Sequence, residues 1–227
     1  IQSGDKLGYF AYVALTTNVA AAAGALGGIL TSWAVVRKPD LSMLLNGVIA
    51  ALVAVTAACG FVAPWAAIVI GFVAGAIAVG AVLWVESIGI DDPIGAVAVH
   101  WLAVVWGTLE TGLFALPALA SNLATGSGGL VYTRSAHQLG VQALGVLAVG
   151  AFTFSASFAS LWTMKRIAGI RVEARVEQAG LDVSEHGMWG YPEFYIPVPG
   201  GYGSESQAAA LSPGMRHHAT TPALAEG

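Results

Sequence analysis

The sequence predicts an all-α polytopic membrane protein, and two observations carry that prediction. Apolar residues make up 56% of the 227 residues and charged residues only 10%, against roughly 25% charged in soluble domains. Asp, Glu, Lys and Arg also avoid four long stretches, 7–36, 41–85, 93–109 and 138–164. One soluble core could not hide that much apolar surface in a chain of this size.

Each span follows from local punctuation. The first covers about 8–36 and ends at Arg37-Lys38-Pro39-Asp40. The 45 residues of 41–85 are too many for one helix. Cys59-Gly60-Phe61-Val62-Ala63-Pro64 breaks them, with Pro64 suited to the first turn of a new helix. Spans at about 42–60 and 64–86 result. The fourth, about 93–117, begins with Asp92 as N-cap and Pro93 at the first helical position, and the carboxylate complements the helix dipole. Asp91 beside it is read as solvated or as a loop acceptor. A fifth span covers about 138–164. Small residues, as at 20–28 and 71–75, suit close helix packing in lipid, where no hydrophobic force drives association.

Basic residues set the orientation. Five spans place Arg37, Lys38, Lys165, Arg166, Arg171, Arg175 and Arg216 on one side, and Lys6 and Arg134 on the other. The C-terminus, and with it Asp91 and Asp92, is thereby assigned to the cytoplasm of a multi-pass cell-membrane protein. The membrane domain is 1–172, the cytoplasmic tail 173–202, and 203–227 reads as a disordered end. The chain opens on Ile1-Gln2-Ser3-Gly4-Asp5-Lys6 with no signal-peptide form, and is read as the later part of a longer protein.

Composition also narrows the chemistry. A net charge of −4 gives no sign of nucleic-acid binding, and the single Cys59 excludes an internal disulfide and a cysteine metal site. No nucleophile–base set is present, so no enzyme is expected, and neither cofactor nor metal is implied. His217-His218 alone are poor metal ligands. The group that stands out is His100. On a helix starting at Asp92 it lies roughly 12 Å along the axis, near mid-depth of a ~30 Å bilayer core. An ionisable residue there points to function, although from composition alone a bonded core histidine stands about even with a pathway residue.

Several segments in one order carry a family resemblance. Ile90-Asp91-Asp92-Pro93, Val99-His100, Trp106-Gly107-Thr108-Leu109 and Gly112-Leu113-Phe114-Ala115 resemble the tenth helix of the Amt/Mep/Rh ammonium transporters. Thr16-Thr17-Asn18, Arg37-Lys38-Pro39-Asp40-Leu41, Val55-Thr56-Ala57-Ala58-Cys59-Gly60-Phe61 and Gly180-Leu181-Asp182-Val183-Ser184-Glu185-His186-Gly187 match in the family order, over roughly 5–192.

The resemblance implies an eleven-helix protomer of two inverted five-helix repeats plus a last helix. Three such protomers form a trimer, each with its own pore. This chain would supply the last five helices. His100 matches the second of two pore histidines that relay protons beside deprotonating ammonium. Asp92 matches a family carboxylate read first as a helix cap. Thr56 matches a pore-wall threonine, although a helix threonine usually bonds back to its own turn. The family's gating aromatic falls at Ala14, with Phe10 or Tyr12 as substitutes. Trp101 replaces a usual glycine and is expected to pack against small residues at 24–28 or 71–75. Glu185, His186 and Gly187 fall in a tail that couples protomers and answers PII-type signalling proteins. The function implied is ammonium or ammonia transport in membrane lipid. Its rivals are an ammonium sensor signalling through the tail and a structural paralogue that does not transport.

Overall fold

A computed structural model describes residues 6–120, 128–188 and 190. The expected disordered end, 203–227, lies outside the described residues. The chain divides into two compact units, Ile1–Phe154 and Ser155–Gly227, each treated by itself below. Apart from one isolated bridge between Val62 and Ala115, the regular structure among the described residues is helical.

In the first unit, α1 (Lys6–Val36), α2 (Leu41–Val55) and α3 (Pro64–Ser87) pack on one another. Their contacts are built from backbone. A Cβ added at Gly71 would overlap the Ala20 carbonyl group, and one at Gly27 the carbonyl of Phe72. Gly24 and Gly47 likewise leave no room for each other's missing side chains. Close approach of this kind is what small residues permit in lipid. The core is correspondingly alanine-rich, with Ala20, Ala50, Ala54, Ala67 and Ala74 fully buried around Ile70 and Val55.

Loops are fixed by side chains. Arg37, at φ 65°, ends α1, and Asp40 caps α2 by accepting the Met43 amide at 3.1 Å. That amide, together with Ser42, holds the Asp40 carboxyl below the usual carboxylate range. The α2–α3 connection is tied to α1 at two points. Thr16 Oγ1 donates to the Cys59 carbonyl at 2.8 Å, and the Tyr12 hydroxyl donates to the Val62 carbonyl at 2.6 Å.

Two expected spans change. The second helix stops at Val55, not near residue 60, because the Val55 carbonyl accepts both the Ala58 and Cys59 amides and closes a turn. Its 15 residues reach about 22 Å, short of a ~30 Å core. The helices at Leu7–Val36, Pro64–Ser87, Val97–Phe114 and His137–Ile167 are long and apolar enough to cross a membrane. The fourth span also starts late. Gly95, at φ 70°, breaks the run after Pro93, and a π-helical segment (Val97–Leu102) leads into α4 (Ala103–Phe114).

Beyond α4, α5 (Pro117–Ala120) and α6 (Leu130–Thr133) are single turns. The Leu116 amide donates to the Phe61 carbonyl at 2.7 Å, securing the end of α4 to the α2–α3 turn. The last long helix, α7 (His137–Ile167), carries its apolar residues outward, and none of its most apolar stretch is buried. That is the surface a lipid-facing helix presents.

In the second unit the Arg166 guanidinium lies 5.0 Å over the Trp162 ring. Short helices α8 (Ala174–Ala179) and α9 (Leu181–His186) follow, with an Arg171–Glu177 pair at 3.2 Å. Asp182 accepts the Gly190 amide at 2.8 Å, a bond that lowers its pKa. Gly187, at φ 65°, ends α9 in a conformation suited to glycine.

Candidate pore wall

The site is assembled at one end of the first unit. A cleft of about 580 Å³ opens between the start of α2, the end of α3 and residues 92–100, lined in part by Asn46, Ile49, Val82, Glu86, Asp92 and His100. Asp40 also borders it. Three carboxylates and one imidazole therefore share a wall whose remainder is mainly apolar.

The local sequence explains how His100 arrives there. Asp92 accepts the Ala96 amide at 2.7 Å with one oxygen and the Val97 amide at 2.9 Å with the other. These bonds reach amides four and five residues downstream, so Asp92 is not the N-cap and Pro93 is not the first helical residue; Ala96 is the residue that precedes the π-helical segment. The reason is Gly95. A Cβ there would come within 2.9 Å of Asn46 Nδ2 and 3.1 Å of a Val82 methyl, and its backbone is left-handed, a conformation glycine adopts at little cost.

His100 thus becomes the fourth residue of a helical segment instead of the eighth, and the depth calculated from a helix beginning at Asp92 is corrected accordingly. Its side chain is exposed while Ala98 and Val99 beside it are buried. Among the described residues nothing hydrogen-bonds its ring, so it is not a satisfied core histidine. A π turn at such a residue is a frequent mark of functional positions.

The other expected residues are not brought to the cleft. Thr56 is exposed and its hydroxyl donates to the Leu52 carbonyl at 2.6 Å, the back-bonding that helix threonines favour. Tyr12 is a strut between α1 and the α2–α3 turn, and Ala14 lies half-buried one turn before Asn18, whose amide donates to the Ala14 carbonyl. Asp91 is exposed beside a smaller cavity that Glu86 and Asp92 share. Trp101 departs from its expected packing. It is 55% exposed, because the glycines proposed to receive it are filled by the crossing of α1, α2 and α3. Glu185 and His186 form the last turn of α9, with Gly187 as its C-cap, in the second unit.

Asn46 and Glu86 were not singled out by sequence. Asn46 carried a usable signal, as the one amide side chain in the uncharged run 41–55. Glu86 carried a weaker one, as the charge that closes α3. Among the described residues no group of His, Cys, Asp and Glu has the arrangement of a metal site.

The sequence profile of the Ammonium Transporter Family matches residues 3–191. The ammonium transporter Amt2 of Archaeoglobus fulgidus is 41% identical over 187 residues, covering 80% of this chain and 39% of that one. The ammonium transporter of Bacillus subtilis is 35% identical over 183 residues, covering 80% and 44%. Among solved structures, a sensor Amt protein superposes with a TM-score of 0.69 at 33% identity, over 78% of this chain and 42% of that one. Mep2 of Saccharomyces cerevisiae superposes with 0.67 at 30% identity, over 83% and 43%. The chain spans about two fifths of the length of these relatives. On the profile match and the shared fold, it belongs to the ammonium transporter family and is a helical membrane protein.

Proposed function

We propose that this chain forms one wall of an ammonium-conducting pore, as the last part of an eleven-helix protomer in a trimer. The observation that carries the reading is His100, an imidazole on an apolar membrane helix, exposed on a cleft wall with no hydrogen-bond partner among the described residues. A neutral imidazole offers one donor and one acceptor nitrogen. Such a ring accepts a hydrogen bond from ammonium as it loses its proton and passes that proton along. Ammonia then crosses the apolar wall without the cost of moving a charge through it. By the family resemblance, the partner histidine sits on a helix that this chain does not contain.

Asp92 acts first by bonding the amides at the start of the segment that carries His100. With Asp40 and Glu86 it also makes the cleft mouth negative, which raises the local concentration of cations. Seven of the nine Lys and Arg residues lie on the cleft side of the span map, which supports a cytoplasmic mouth and a cytoplasmic C-terminus in the cell membrane. Thr56, Ala14 and Tyr12 keep wall positions by resemblance only, and Tyr12 and Thr56 have structural bonds that account for them. Glu185, His186 and Gly187 are assigned to tail regulation, with a PII-type protein as partner. A sensing role is the second reading, favoured by the likeness to a protein named as a sensor Amt.

The test is methylammonium uptake by cells that lack their own ammonium transporters. The complete protein is expected to import it saturably, and residues 1–227 alone are not, because the opposite wall is absent. Robust saturable uptake by 1–227 alone would overturn the division of the pore.

A further inference from the structure

Residues 97–104 present one exposed arc. Val97, His100, Trp101 and Val104 are exposed, whereas Ala98, Val99 and Ala103 are buried against the rest of the unit. Val97 and Val104, about two turns apart, mark the middle of the arc, with His100 on one flank and Trp101 on the other. Both rings belong to the π-helical segment Val97–Leu102. Its i→i+5 bonds spread each turn over more residues than an α turn does, so neighbours stand roughly 80° apart instead of ~100°. The imidazole and the indole are thereby drawn onto one surface.

His100 decides what that surface faces. An ionisable group in a membrane span points to a bundle interior or a water-filled path and not to lipid. Trp101 shares the arc, and its own unit leaves more than half of it uncovered. The seams between α1, α2 and α3, where an indole could have been stowed, are closed by backbone. The ring is therefore left projecting beside the imidazole, on the side where the pore reading sets the opposite wall.

We propose that Trp101 sets the width of the path beside His100 and thereby selects unsubstituted ammonium over alkylammonium ions. This rests on the pore reading and names the substrate feature that the wall discriminates. The indole is the bulkiest group on the arc, whose other apolar members are valine side chains. It turns about only two side-chain bonds, so it yields little to a larger ion. A single methyl group is what such a wall can read, because one carbon more or less in an apolar pocket changes selection by about 10–200-fold. Methylammonium still passes, more slowly than ammonium. Since Trp101 buries little surface within this chain, replacing it probes the path more than the fold.

The complete protein in lipid vesicles is tested with ammonium and methylammonium separately, as wild type, Trp101→Ala and Trp101→Leu. W101A should raise the ratio of methylammonium to ammonium flux about tenfold, the low end for one carbon. W101L should raise it less, in the same direction, and serves alone if W101A fails to insert. A packing or lipid-contact role would alter both fluxes in proportion, through the amount of folded protein, and leave the ratio fixed. An unchanged or lowered ratio in the variants, with wild-type ammonium flux intact, would overturn this inference and leave the pore reading standing. A wild type that conducts neither ion would overturn both.

Discussion

Gly71→Ala tests how the three-helix core is held. A Cβ at residue 71 would lie 2.7 Å from the Ala20 carbonyl carbon and 2.8 Å from its Cα. Relaxed carbon contacts begin near 3.5 Å, so α1 and α3 must part by about 1 Å, and a gap of that size forfeits a quarter to a half of the dispersion at each contact. The obstacle is backbone, which no side-chain rotation relieves. We therefore expect the upper part of the range for overpacked cores, about 3 kcal/mol of destabilisation. Gly80 on the same helix is the control, because a Cβ there meets nothing within 4 Å. Gly80→Ala should be neutral or stabilising by up to about 1 kcal/mol through helix propensity. The assay is the unfolding midpoint of the detergent-purified complete protein. Equal midpoints for the two variants would refute the close-contact account of the core.

Three further substitutions probe the supports of the site. Asp92→Ala removes the acceptor of the Ala96 and Val97 amides and should cost about 1–2 kcal/mol, read as faster hydrogen exchange across 96–99 with α3 unaffected. Tyr12→Phe should cost about 1 kcal/mol and increase exchange in the 56–63 turn, because the bond to the Val62 carbonyl is lost. Asp40 gives a pH signature. Its folded pKa is lowered by the Met43 amide, so its contribution is complete above the unfolded value of about 3.9 and fades as pH falls through the folded one. The stability gap between wild type and Asp40→Ala should accordingly be constant from pH 7 to 5 and narrow below about pH 4.

Much of this architecture was legible in the sequence, because lipid imposes long uncharged runs and leaves charges at their ends. Arg37 through Asp40 and Pro64 each mark a real boundary, and Lys165 falls in the last turn of α7. What escaped were features set by single backbone choices. A proline after two aspartates reads as a helix start, yet Gly95 adopts a left-handed conformation beside Asn46, and Asp92 reaches across it to accept the Ala96 and Val97 amides. The π turn that presents His100 has no compositional mark. The early end of α2 depends on the Val55 carbonyl taking two amides, which no residue pattern announces. The small-residue seam is the expected seat of Trp101 because a helix turns ~100° per residue and points it away from the side His100 faces, but that seam is already filled by backbone. Glu110 follows directly on the uncharged run 93–109, and only the fold shows it fully buried, with no hydrogen-bond partner for either carboxyl oxygen among the described residues.

The measurement that bears most directly on the central claim is ammonium flux through the complete protein carrying His100→Ala, reconstituted in vesicles beside wild type. The account predicts that transport is lost or strongly altered in selectivity while membrane insertion and assembly are unchanged. Wild-type flux and selectivity in the variant would contradict it, and would leave His100 as a residue of the helix surface with no part in permeation.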